Sequence, residues 1–186
     1  VRHMETELNK ESIFYGTHKD SKIIDQNIKL EPTISDKNYK VFSSEAKRTK
    51  LSAEVYGFKE INITKELNEI DYGIAENMTY SEYEKKYPLN SKFWNAGIDK
   101  RFPKGENNYD VLKRINMHID KLHSDSILFT HQVPIRVFLG NYYEIPKKDW
   151  YKIYIPHNKA IKFLKYKNEI FSNIERPLLS TLFKNL

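Results

Sequence analysis

The sequence predicts an α/β fold, a three-layer sandwich whose mostly parallel central sheet is flanked by helices, built as one domain over residues 1–186. Three observations predict it. Short apolar runs of strand length alternate with segments of helical period along most of the chain. No repeat, low-complexity stretch or Gly/Ser/Pro-rich linker interrupts that alternation. One run, Ser126-Ile127-Leu128-Phe129-Thr130, is continuously apolar at its centre, as a strand buried on both faces requires.

The elements follow in order. Val1-Arg2-His3 is the kind of segment that follows an apolar strand, so the first strand is expected to be cut short at the amino end. Lys40-Val41-Phe42 reads as a strand leading into Ser43-Ser44. Those serines are expected to cap a helix carrying Ala46, Leu51 and Val55 on its apolar face, with Gly57 as its stop. Thr79-Tyr80-Ser81-Glu82 fits a capping box for a short helix ending before Pro88. Gly105-Glu106 is expected to form the loop and cap of a long helix, whose stripe is Tyr109, Leu112, Ile115, Ile119 and Leu122. After the buried strand, Pro134 suits the first turn of a helix reaching about Leu139-Gly140. Trp150 to Ile155, Ala160 to Tyr166 and Ile170-Phe171 read as late strands, with a turn at Lys167-Asn168.

Composition narrows the function. There is no cysteine, which excludes disulfides, thiolate metal sites and a thiol nucleophile. No run of 18 apolar residues is present to span a membrane as a helix. With no export signal in view, a cytoplasmic location is expected. Net charge is +6, but the lysines are dispersed and form no block. A nucleic-acid partner would rest on that charge alone, so neither nucleic acid nor membrane is expected as a partner. Walker, dinucleotide, zincin and nucleophile-elbow motifs are all absent.

In parallel sheets ligands collect at the carboxyl ends of strands. His3, the segment Ser43 to Arg48, and His131 all fall at such ends in this reading. An imidazole can act as base, metal ligand or nucleophile. Beside Arg2, a fixed positive charge disfavours a metal cation and imidazolium, and favours a phosphate or carboxylate ligand. Arg48 and the Ser43-Ser44 hydroxyls could reach the same crevice. Glu66, Glu69 and Asp71 each offer a carboxyl for general acid work, and the residues alone do not choose among them. His18, His118, His123 and His157 do not stand at strand ends and are expected to be structural or surface residues.

Five stretches in order, covering Val1 to Arg136, carry a family resemblance. They are Val1-Arg2-His3-Met4-Glu5-Thr6 with Asn9; Ser43-Ser44-Glu45-Ala46-Lys47-Arg48-Thr49; Leu67-Asn68-Glu69-Ile70-Asp71-Tyr72-Gly73 with Met78-Thr79-Tyr80; Phe102-Pro103-Lys104-Gly105-Glu106; and Thr130-His131-Gln132-Val133-Pro134-Ile135-Arg136. Together they resemble the histidine phosphatase superfamily, also called phosphoglycerate mutase-like. The resemblance implies that fold, with His3 as the nucleophile that becomes phosphohistidine. It implies a phosphate pocket of Arg2, Arg48 and His131, further substrate contacts from Asn9 and Gln132, and Glu69 as proton donor, with no metal and no cofactor.

Three departures stand out. Met4 replaces the family's usual glycine, Gln132-Val133 replaces a glycine pair, and the stretch from His18 to Asp36 lacks the usual helix pattern. The expected function is a metal-independent phosphomonoesterase acting on a small phosphorylated metabolite through phosphohistidine. The alternatives are a bisphosphoglycerate-dependent mutase and a catalytically silent phospholigand- or protein-binding relative. The short stretch between Tyr72 and Gly105 favours the phosphatase over the mutase, because the family's mutases close longer insertions over the pocket. Specificity is expected from Tyr80, Tyr83, Trp94 and Phe102.

Overall fold

The alternating apolar runs form three short parallel strands. In a computed structural model describing residues 1–17, 19–24, 38–166 and 169–172, β1 (Lys40–Ser43) lies between β2 (Asn62–Ile63) and β3 (Ser126–Phe129). Val41 stands opposite Ile127, and Phe42 opposite Leu128. The segment Val1 to His3 continues the sheet beyond β3. Arg2 bridges Thr130 in parallel, Thr130 N–H donates to Val1 O at 2.9 Å, and His3 N–H donates to Thr130 O at 3.0 Å. All four segments run the same way, so Ser44, His131 and His3 reach one edge together.

Among the described residues six α-helices accompany the sheet: α1 (Glu7–Lys10), α2 (Lys47–Val55), α3 (Tyr80–Lys86), α4 (Pro88–Asn95), α5 (Asn108–Asp120) and α6 (Gln132–Tyr142). Strand period two divides the core between the faces. Val41, Ile127 and Phe129 pack with Met4, with Ala53 of α2 and with Tyr56 and Phe58. Phe42 and Leu128 pack on the opposite cluster, with Val111, Leu112 and Ile115 of α5 and Val137 and Leu139 of α6. The result is the expected open, mostly parallel sheet with helices on both faces. A separate antiparallel pair, β4 (Phe163–Tyr166) and β5 (Glu169–Ser172), follows it.

Capping boxes set the starts of α3 and α5. Glu82 N–H donates to Thr79 Oγ1 while Thr79 N–H donates to Glu82 Oε2, the box expected for α3. For α5 the cap is Asn107, which exchanges the same pair of bonds with Asp110. Glu106, expected as the cap, is drawn instead into an ion pair with Arg114 at 2.9 Å, because the guanidinium offers two charged donors. At the end of α2, Gly57 takes φ +84°, and N–H groups of Gly57 and Phe58 return to Glu54 O and Ala53 O. Only glycine adopts that left-handed cap without strain.

α2 corrects the reading of its apolar face. Leu51 and Val55 are 42% and 38% exposed, whereas Arg48, Thr49, Ser52 and Ala53 are buried. Nor does either serine stand at its N-cap: that position is Ala46, whose N–H donates to Ser44 Oγ at 3.2 Å, and Ser44 also meets Thr49 and His131. The helix buries polar atoms that have partners, the Nε–H of Arg48 excepted. Thr49 Oγ1 donates to Ala46 O, and Ser52 Oγ donates to Arg48 O and accepts Met4 N–H at 2.9 Å. Two late strands are also corrected. Lys147–Lys152 is a 3₁₀ helix that seats Trp150 against Gly140 and bonds its indole N–H to Ile145 O, and the later strand begins only at Phe163. The expected turn at Lys167-Asn168, His18, and most of the stretch to Asp36 lie outside the described residues.

Candidate active site

The strand ends deliver the predicted residues to one crevice. His3 ends the amino-terminal segment, His131 follows β3 as N-cap of α6, and Arg48 enters from the buried side of α2. The His3 and His131 rings stand 5.1 Å apart, edge to face. Arg48 Nη2 donates to His131 Nδ1 at 3.2 Å and to Gly16 O at 2.8 Å, and Nη1 donates to Lys19 O. Arg48 also lies 4.4 Å from the centre of the Tyr15 ring. Arg2 donates through Nη1 to Ile155 O and packs on Tyr154.

These bonds fix the tautomers. His3 Nδ1 lies 2.6 Å from Met4 O, an acceptor only, so Nδ1 carries the proton and Nε2 keeps a lone pair. His131 Nδ1 faces a guanidinium donor, so Nδ1 is the acceptor and Nε2–H donates to Ser44 Oγ at 2.7 Å. Both rings are neutral. Burial, then Arg48, then Arg2 hold His3 well below the ordinary histidine value; burial and Arg48 do the same to His131.

Both guanidinium groups of the crevice keep a donor without an acceptor. The Nε–H groups of Arg2 and of Arg48 are both buried without a hydrogen-bond partner. Buried charged donors left so are costly, which fits a place where an anion supplies the acceptors.

Of the three acids, tertiary structure brings one to the site. Glu69 is buried, and its Oε1 accepts N–H bonds from Ile70 at 3.0 Å and Val133 at 3.2 Å. With Oε1 so engaged, a proton on this carboxyl belongs on Oε2. Burial raises the Glu69 pKa, against the pull of the Ile70 N–H, Arg48 and Arg2. Glu66 is instead bonded to Thr64, and Asp71 accepts Gly73 N–H.

Two substrate contacts implied by the resemblance have prior engagements. Asn9 Oδ1 accepts both the N–H and the hydroxyl of Thr6, each at 2.9 Å. Gln132 was expected to touch substrate, but both ends of its amide hold backbone: Nε2 donates to Ile153 O and Oε1 accepts Ile155 N–H. It thereby braces the segment whose Ile155 O receives Arg2.

The sequence reading missed two members. His157, expected to be structural or at the surface, stands 5.4 Å from His3; its Nε2 is buried without a partner, and burial followed by Arg2 lowers it to about 3. No local pattern announces it. Arg136 donates Nε to Ile153 O and senses Tyr72 and Glu69; a lone arginine in an apolar helix was its available signal. A cavity of about 320 Å³ is walled by Ile70, Tyr72, Tyr80, Phe102, Val133 and Arg136, with Asp99, Lys100 and Lys147 also on its lining; Ile70 and Val133 are the residues whose N–H groups Glu69 accepts. Tyr83, expected in a specificity role, is fully buried in the core; the side chain of Trp94 lies outside the described ones.

The neutral imidazoles set an acid limit on stability. Below the ordinary histidine value of 6.5, the unfolded chain binds protons at His3, His131 and His157 that the folded chain does not. Stability therefore falls as pH falls. Glu69 acts oppositely, keeping a proton when folded above the ordinary carboxylate range. His118 and the Val1 amino group, both lowered by burial, add to the loss, so the groups that cost stability at low pH outnumber Glu69. Urea unfolding followed below the ordinary histidine value is expected to show the midpoint dropping; a flat midpoint contradicts neutral burial.

A parallel sheet flanked by helices, with buried arginines, neutral histidines and a buried acid at its carboxyl edge, defines an α/β protein with a cationic crevice at that edge. The chain belongs to the histidine phosphatase superfamily (branch 1), whose profile matches residues 1–174. It is 30% identical over 141 residues to the fructose-2,6-bisphosphatase of Saccharomyces cerevisiae, covering 72% of this chain and 31% of that protein. It is 37% identical over 123 residues to 6-phosphofructo-2-kinase/fructose-2,6-bisphosphatase 4 of Homo sapiens, covering 63% of this chain and 24% of that protein. The chain thus spans less than a third of the length of these curated relatives. In fold it is similar to the alpha-ribazole phosphatase of Shigella flexneri, with TM-score 0.78 at 18% identity, covering 94% of this chain and 93% of that one. A mycobacterial glucosyl-3-phosphoglycerate phosphatase complexed with VO3 matches with TM-score 0.74 at 16% identity, covering 93% and 94%. Among the described residues no helix is long and apolar enough to cross a membrane.

Proposed function

We propose that the chain is a metal-independent phosphomonoesterase for a small phosphorylated metabolite, working through phosphohistidine. The observation that carries it is the pair of unpartnered guanidinium Nε–H groups on Arg2 and Arg48, flanking an imidazole whose Nε2 lone pair is available. Phosphoryl transfer demands in-line positioning and positive charge around the equatorial oxygens. Arg2 and Arg48 supply that charge, and His131 steadies Arg48. Asn9 would add a contact through Nδ2, since Oδ1 is taken.

His3 Nε2 attacks phosphorus, forming the N–P bond as the ester P–O bond breaks. Glu69 gives its proton to the leaving oxygen. As carboxylate it then takes a proton from water, which attacks the phosphohistidine, frees phosphate and returns Nε2 to its neutral state. The rest of the substrate lies in the cavity of Tyr72, Tyr80 and Phe102. Arg136, with Lys100 and Lys147, would there face a second anionic group, in keeping with the bisphosphatase names of the matched relatives. A sugar bisphosphate is the substrate class this supports. A cytoplasmic location goes with it, since charge confines such metabolites to the compartment that makes them.

The test is hydrolysis of p-nitrophenyl phosphate and a panel of sugar phosphates in excess EDTA, with acid- and base-quenched enzyme examined for bound phosphate. Activity that persists in EDTA, with a phosphoenzyme labile to acid and stable to base, is expected. Loss of activity in EDTA, or phosphate exchanged between positions of one sugar faster than it is released, would overturn the assignment.

A further inference from the structure

Glu69 sits on irregular backbone between two 3₁₀ turns, Lys65–Leu67 and Gly73–Ala75. Regular structure therefore does not hold this carboxyl, and its place depends on what grips the loop. Thr130 Oγ1 donates to Leu67 O, and Asn68 bonds Glu45 at the outer side. The densest grip comes from α5. Arg114, with a side chain only 17% exposed, donates Nε and Nη2 to the two oxygens of Glu106 at 2.9 and 3.0 Å. The same guanidinium donates Nη1 to Glu66 O at 2.8 Å and Nη2 to Glu69 O at 3.1 Å. Glu106 completes the frame: Oε2 accepts Asp71 N–H at 3.0 Å, and its own N–H donates to Asp71 O at 2.8 Å.

The backbone around the acid is thus held at four points by one ion pair. Gly105 lets the two loops meet, since a Cβ there would collide with Asp71 O. Arg114 uses four of its five donors in a fork that lysine does not reproduce.

We propose that the Arg114–Glu106 pair is a positioning element of the site, holding residues 66–71 so that the Glu69 carboxyl is aimed at the leaving oxygen. It touches no substrate and acts through the loop. The inference rests on the reading of Glu69 as proton donor, and its test separates the two.

Arg114→Lys keeps the charge and loses the fork; Glu106→Gln keeps one acceptor and serves if the first variant does not fold. For each variant kcat/KM is measured on p-nitrophenyl phosphate, whose leaving group needs no proton, and on an alkyl phosphate, whose leaving group does. A loss of about tenfold or more on the alkyl ester is expected, with little change on the aryl ester. Equal loss on both would mean general disruption and would overturn the proposal. The second readout is independent of turnover: ¹³C-carboxyl titration of Glu69, assigned with Glu69→Gln. In Arg114→Lys the Glu69 pKa is expected to fall toward the ordinary glutamate value as the loosened loop admits water. An unchanged titration overturns the positioning role, even if the wild-type chain hydrolyses esters. A wild-type chain without phosphatase activity but with a shifted titration would sink the functional reading and leave the positioning standing.

Discussion

His3→Ala is expected to lose turnover by on the order of 10⁴- to 10⁶-fold, the scale seen when a nucleophile is removed from a site that otherwise survives. The loss should appear equally with good and poor leaving groups, because both must pass through the same N–P bond. The fold should survive, since the His3 ring bonds its neighbour's carbonyl, Met4 O, rather than a distant element. The crevice of Arg2 and Arg48 remains, so the variant should still bind inorganic phosphate or vanadate. Rapid-quench measurement checks this by looking for phosphate bound to the protein. Retained turnover, or a phosphoenzyme still present in the variant, would remove His3 as nucleophile. His157 would then be the next imidazole to test, since it stands beside His3 with a buried, unpartnered Nε2.

Glu69→Gln should divide substrates by leaving group. An alkoxide needs a proton as it departs, so kcat/KM for alkyl phosphates is expected to drop by about 10²- to 10⁴-fold. A nitrophenolate departs unaided, so kcat/KM for p-nitrophenyl phosphate should change little. Its kcat should nevertheless fall, because the same carboxylate activates the water that cleaves phosphohistidine; a burst of nitrophenol followed by slow turnover is the signature. The pH dependence follows from burial. A raised pKa keeps Glu69 protonated above the ordinary carboxylate range, so alkyl-ester kcat/KM in the wild type falls as pH rises through that raised value. Glu69→Gln should abolish that limb. Equal slowing of both esters would point to another donor, with Asp71 the nearest in sequence, although its carboxyl is turned to Gly73 N–H.

The two experiments test different parts of the arrangement. His3 is placed by the sheet: its N–H is bonded to Thr130 O beside β3, and Met4 N–H is held by Ser52 of α2. Glu69 is placed by a loop that the α5 side chain of Arg114 and its partner Glu106 restrain. Substitutions that loosen that loop should resemble weakened forms of Glu69→Gln and leave the chemistry of His3 intact.

What the amino-acid order determines by itself is local and periodic. Alternation of apolar runs and helical stripes specifies a parallel sheet with helices on both faces. Motifs at the ends of those runs bring His3, Arg48 and His131 to one edge, because parallel strands must present like ends together. The Thr79–Glu82 cap and the Gly57 stop are equally legible, since each depends on residues within one helical turn.

Tertiary contact decided the rest. Leu51 and Val55 look like the inner face of α2, yet the buried face is polar, because Met4, Ser44 and His131 lie there to satisfy it. Three carboxyls compete in the stretch Glu66 to Asp71, and only the approach of the α6 amino end selects Glu69. Arg2 takes its acceptor from Ile155, 153 positions away, and Ser44 meets His131 across 87. The neutral tautomers, the place of His157 and the Arg114 frame all arise from such distant pairings. Periodicity encodes which face of an element is apolar; it carries no information about which far-off donor will arrive to pair a buried polar atom.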